Sequence, residues 1–205
     1  MDWSRLYAIS EEGSSDAIRV NSATALSSRR LVRAEETPCE PIAFNYDEGD
    51  IACDLIGTTY SGLYLISNRF LSVLRSHAFT GWASFPVVVH GRGTERLEGY
   101  HGFAVTGRCG RVHGSRRLWS EQPPKTKVGL YFDPATWDGN DIFMPQDTMH
   151  IIVDERVKRA IEEARLTNMR FARLSDYDFH AVRPPPTEKV DLGRSRNRSR
   201  FRGQR

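Results

Sequence analysis

Leu63-Tyr64-Leu65-Ile66-Ser67-Asn68-Arg69-Phe70-Leu71-Ser72-Val73-Leu74 decides the fold, because a second version of it occurs at Ile151-Ile152-Val153-Asp154-Glu155-Arg156-Val157-Lys158-Arg159-Ala160-Ile161. An offset of 87 residues lays Ser67 on Asp154 and carries the match on to Phe79-Thr80-Gly81-Trp82 over Leu166-Thr167-Asn168-Met169. In both copies an apolar run stops at a residue whose side-chain oxygen can accept from a free helical N–H, so each reads as a strand running into a capped helix. Phe70, Leu71, Leu74 and Ala78 in one helix, and Val157, Ala160, Ile161 and Ala164 in the other, recur every three or four residues and give one buried stripe. Gly81 and Asn168 stand after the last turn, where a left-handed residue is needed before the next strand.

Outward from the repeat, Trp82 to His90, Tyr100 to Thr106 and Lys127 to Phe132 read as strands, and Pro86 pushes the first of them towards an edge or bulge. Trp3-Ser4-Arg5-Leu6-Tyr7-Ala8-Ile9 is expected to be an edge strand, followed by a Ser/Ala-rich stretch of little structure up to residue 35. The elements together predict one α+β domain over residues 1–182. Its mainly antiparallel sheet carries two similar helices, as a weak strand–helix–strand repeat. Pro184-Pro185-Pro186 ends that body, and residues 183–205 are expected to form a disordered, Arg-rich tail.

The 205 residues are 39% hydrophobic and 27% charged, an ordinary globular balance. No apolar run reaches the 18 residues of a membrane span, and the start lacks a signal-peptide layout, so a cytoplasmic location is expected. Cys39, Cys53 and Cys109 contain no CxxC pair, which argues against a disulfide framework or a zinc ribbon. The net charge of +3 conceals its distribution. Six arginines lie between Arg194 and Arg205 with no acid among them, so the body is mildly acidic. Glu35, Glu36, Glu40, Asp47, Glu48, Asp50 and Asp54 form an acidic band without a single lysine or arginine.

Several groups resemble active sites without the spacing that chemistry requires. Asp133, Asp138 and Asp141 match no calcium loop and fit consecutive turns. His101, Cys109 and His113 are scattered ligands without a paired motif, so no metal is expected. Nearby arginines could activate the Cys109 thiol, but no nucleophile signature surrounds it, and no Walker loop or GxGxxG offers a nucleotide site. Neither a cofactor nor a catalytic residue is expected.

The stretches Leu63-Tyr64-Leu65-Ile66-Ser67-Asn68-Arg69-Phe70, Gly99-Tyr100-His101-Gly102-Phe103, Asp141-Ile142-Phe143 and Leu166-Thr167-Asn168-Met169-Arg170-Phe171 resemble the bacterial immunity-protein family eleven of polymorphic toxin systems, the myxobacterial-type immunity domain. The resemblance covers roughly residues 60–177. It implies a non-enzymatic protein that binds a cognate toxin, typically encoded by a neighbouring gene, and blocks it. The acidic band offers Asp47, Glu48, Asp50 and Asp54 to a basic toxin cleft, with Phe44 and Tyr46 as apolar anchors. The alternative is nucleic-acid binding by the tail. Arg194, Arg196, Arg198, Arg200 and Arg202 suit phosphate contacts, and Phe201 suits stacking.

Overall fold

The computed structural model describes residues 2–93, 95–116 and 127–177. Its first half contains β1 (Leu6–Glu11), β2 (Arg19–Ser22), helix α1 (Ser28–Val32), β3 (Ile42–Glu48), β4 (Leu55–Thr58), β5 (Tyr64–Ser67), helix α2 (Asn68–Ser76) and β6 (Trp82–His90). A two-residue β7 (Arg96–Leu97) leads to β8 (Tyr100–Val105), β9 (Gly107–Cys109), β10 (His113–Arg116), β11 (Lys127–Tyr131), β12 (Ile142–Pro145), β13 (Ile151–Asp154), helix α3 (Glu155–Glu163) and β14 (Met169–Arg173).

These strands make two principal sheets. One runs β3-β2-β4-β5-β8-β6, and β3 also pairs in parallel with β6, from Ile42 opposite Val87 to Asn45 opposite His90. That last ladder closes six strands into a barrel. The other sheet, β14-β1-β13-β12-β9, stays open. The expected α+β sheet with two helices packed on it is therefore incorrect, since the molecule is mostly β and built on a closed barrel. The helical stripes are real but short: α2 and α3 have nine residues each and α1 has five. Ala78 lies beyond α2, exposed, so the buried stripe there ends at Leu74.

The segment up to residue 35 supplies β1, β2 and α1. β1 lies between β13 and β14 in the middle of the open sheet, and Leu6, Tyr7, Ala8 and Ile9 are all buried. Consecutive buried residues mark a strand covered on both faces. Pro86 is accommodated because β6 pairs there with β8 alone; its ladder with β3 begins one residue later.

The two sheets repeat one topology. The barrel order β6-β8-β5-β4-β2 recurs as β14-β1-β13-β12-β9, with β2 parallel to β4 as β9 is to β12, and all other neighbours in the two series antiparallel. β8, from the second half, lies between two strands of the first, and β1 lies reciprocally between two strands of the second. The chain is two copies of one unit that have exchanged a strand.

Matched clasps seal the exchange. Asp54 accepts from Thr167 N at 3.0 Å, Thr167 Oγ1 at 3.2 Å, Arg69 at 2.9 Å and Ser67 Oγ at 2.6 Å. Asp141, 87 residues on, accepts from Thr80 N at 2.8 Å, Thr80 Oγ1 at 2.9 Å and Arg156 at 3.4 Å. Ser67 and Asp154 cap their helices through Phe70 N and Val157 N, as their sequence positions predict.

The units diverge after their second strand. In the first, α1 and β3 are inserted, and β3 closes the barrel. In the second, the β10–β11 hairpin is inserted, and its Gly129 N donates to Tyr177 O at 2.8 Å. The larger core joins the barrel interior, α2 and α3, while a smaller one around Leu130, Phe132 and Phe143 covers the opposite face of the open sheet. No helix among the described residues is long and apolar enough to cross a membrane.

Candidate partner-binding site

The acidic band starts in the loop after α1, runs along the barrel strand β3 and ends inside the molecule. Along β3, alternate side chains face opposite sides, so Phe44 is fully buried while Asn45 is exposed. Phe44 is thus a core residue and cannot anchor a partner. Asp54 is only 4% exposed and serves the clasp, which removes it from the expected site as well. Glu35 and Glu36 are paired with Arg33 and Arg30.

What remains is a compact rim at the end of β3. Tyr46 is half-buried and donates its hydroxyl to Gly49 O at 2.8 Å. The Arg92 guanidinium lies 4.7 Å from the Tyr46 ring centroid, donates to the Tyr46 hydroxyl oxygen and pairs with Asp50 at 2.8 Å. Asp47 and Glu48 are exposed, with Glu48 3.8 Å from Arg19. Asp47 has no ion-pair partner among the described residues.

The turn that carries these groups is fixed by the backbone. Asp50 N and Ile51 N both donate to Asp16 O at 2.8 Å. Gly49 has φ +86, and a Cβ there would stand 2.1 Å from Ala17 O, so only glycine fits. Ile51 is 55% exposed, the only large hydrophobic side chain left exposed among the described residues. It is not among the expected site residues, although an isoleucine set between Asp50 and Asp54 in a polar turn is itself a signal.

The other constellations resolve into structural roles. Asp133 accepts from Ala135 N, Asp138 from Arg108 N and Asn140 N, and Asp141 closes the second clasp. His101 Nε2 bonds Asn68 Oδ1 at 2.8 Å, and His113 is exposed. Among the described residues, no three His, Cys, Asp or Glu side chains are grouped to hold a metal ion. Burial pushes the Cys109 thiol up to about 12, with Asp138 and Asp147 adding to the shift, the reverse of activation by arginines. Arg194, Arg196, Arg198, Arg200, Phe201 and Arg202 lie outside the described residues, as does the whole expected tail.

The rim therefore offers an apolar tip and an aromatic ring–guanidinium stack surrounded by carboxylates, on a backbone turn that cannot move far. Such a surface can dock and steer a partner. No protein-family model matches the chain, and no curated protein matches it either.

Proposed function

We propose that this chain is a non-catalytic, immunity-type protein that neutralises a cognate toxin in the cytoplasm by occluding it, as the sequence resemblance implies. The observation that carries the reading is Ile51, 55% exposed on a turn tied to Asp16 O, with the exposed Asp47, Glu48 and Asp50 within four residues of it in the chain. Binding energy concentrates in a few anchors that become desolvated, and the surrounding charges set orientation and encounter rate. Ile51 and Tyr46 supply the anchors. The three carboxylates supply a field that attracts a basic cleft, and a toxin acting on nucleic acid would carry one.

The test is co-production with the toxin domain encoded beside this gene in a sensitive host. Protection of growth is expected. With purified proteins, reversing Asp47, Glu48 and Asp50 to lysine should slow association by about tenfold or more at low salt and by less at high salt. Ile51→Ala should speed dissociation and cost about 1–2 kcal/mol. An unchanged association rate for the triple variant would remove the rim from the interface. Truncation after Pro186 should leave protection intact, and its loss would assign the arginine tail to the function instead.

A further inference from the structure

A cavity of about 280 Å³ lies where β1 and β14 of the open sheet meet the β4–β5 and β12–β13 turns, and none of the acidic-rim residues lines it. Polar groups converge on it from separate elements: Ser10 on β1, Arg170 on β14, Ser61 in the first turn and His150 in the second. Tyr64, Met149 and Tyr177 provide apolar walls. Tyr177 Oη and His150 Nδ1 are 3.3 Å apart, with their rings edge to face at 4.9 Å. The two turns are packed hard together, since a Cβ on Gly62 (φ +75) would stand 3.1 Å from Met149 O. This part of the cavity is pre-formed.

Its charge is unbalanced. Arg170 is exposed and has no carboxylate partner among the described residues, whereas Arg173, further along the same strand, lies over the Tyr7 ring, 5.9 Å from its centroid. Burial holds His150 towards its neutral form, so it contributes hydrogen bonding without a second charge. One guanidinium fork matches one carboxylate, and the walls favour a flat hydrocarbon body. The volume falls just below the roughly 300–1,000 Å³ of drug-sized ligand sites, which suits a fragment-sized ligand.

We propose that this cavity binds a small planar monocarboxylate, its carboxylate on Arg170 and its ring or chain between Tyr64, Met149 and Tyr177. The site is independent of the toxin-binding reading, and either can fail alone.

The experiment is an amide-resolved NMR titration of the full chain with sodium benzoate, and in parallel with benzyl alcohol, a similarly sized molecule without the charge. Benzoate should give saturable shifts at Ser10, Ser61, His150 and Arg170, with a dissociation constant of roughly 1–10 mM, as suits a fragment-sized ligand. Benzyl alcohol should bind about tenfold more weakly or less, and Arg170→Gln should weaken benzoate by about tenfold at an unchanged melting temperature. Ala172→Leu, which fills the cavity and leaves the arginine in place, should abolish saturation. Non-saturating shifts, saturation at other residues, or equal affinity for benzyl alcohol would each overturn the proposal.

Discussion

Asp54 ties the two units together with one carboxylate that accepts four hydrogen bonds, two of them from Thr167 of the other unit. Its side chain is 5% exposed, so truncation leaves the part-buried threonine N–H and Ser67 hydroxyl without their acceptor. Because the Arg69 left behind is 61% exposed, the cost comes from the unsatisfied donors, and Asp54→Ala should cost about 2–3 kcal/mol in urea unfolding. Asp141 is more accessible, at 13%, and its arginine is farther away at 3.4 Å. Asp141→Ala should cost less, about 1–2 kcal/mol. The two clasps brace one junction, so the double variant should depart from the sum of the singles. A cost below about 1 kcal/mol for Asp54→Ala would mean that apolar packing alone holds the exchanged strands.

At the scale of elements, all three helices end in the same way, with a non-glycine residue in the left-handed region: Ala34 (φ 49), Ala78 (φ 51) and Arg165 (φ 50). The bonds around each are those of a Schellman motif, with Phe79 N on Leu74 O after α2 and Leu166 N on Ile161 O after α3. A side chain in that conformation costs about 1–2 kcal/mol, part of which glycine gives back through its freer unfolded chain. Ala78→Gly and Arg165→Gly should each stabilise the protein by about 0.5 kcal/mol in denaturant midpoint. Destabilisation at either position would show that the Cβ there packs usefully. The helices and their caps were legible because helix stripes, Ser67 and Asp154 act within a few residues of themselves. β1 was misread because a short apolar run does not announce which strands will cover it. Closure through β3 and β6 was not legible at all, since residues far apart in the chain, such as Ile42 and Val87, must first be brought side by side.

For the molecule as a whole, the sequence shows how much acid the chain carries but not how it is apportioned. Asp47, Glu48 and Asp50 reach the surface, Asp54 goes into the unit junction, and only the topology separates them. Burial of titratable groups likewise becomes visible only in the assembled fold, and it sets the pH range of stability. Burial pushes Cys109 from 9.0 up to about 12, and Tyr64 and Tyr100 from 10.0 up to about 12; Cys53 is also raised by burial. Each gives up its proton more readily when unfolded, so their contribution is complete below the unfolded values and is lost as pH rises above them. His150 is lowered by burial, so the unfolded chain takes its proton first and stability falls as pH drops through 6.5. A plateau is expected between about pH 6.5 and 9, with an alkaline fall led by the thiols and steepened by the two tyrosines above 10. Denaturant unfolding from pH 6 to 11 measures it. Cys109→Ala should lower stability on the plateau through the cavity it leaves, yet flatten the decline above pH 9 by up to about 1.4 kcal/mol per pH unit, the most that one titrating group contributes. If the variant falls as steeply as the parent between pH 9 and 10, the thiol ionises natively at its ordinary value, and the small core around Leu130, Phe132 and Phe143 is open to solvent.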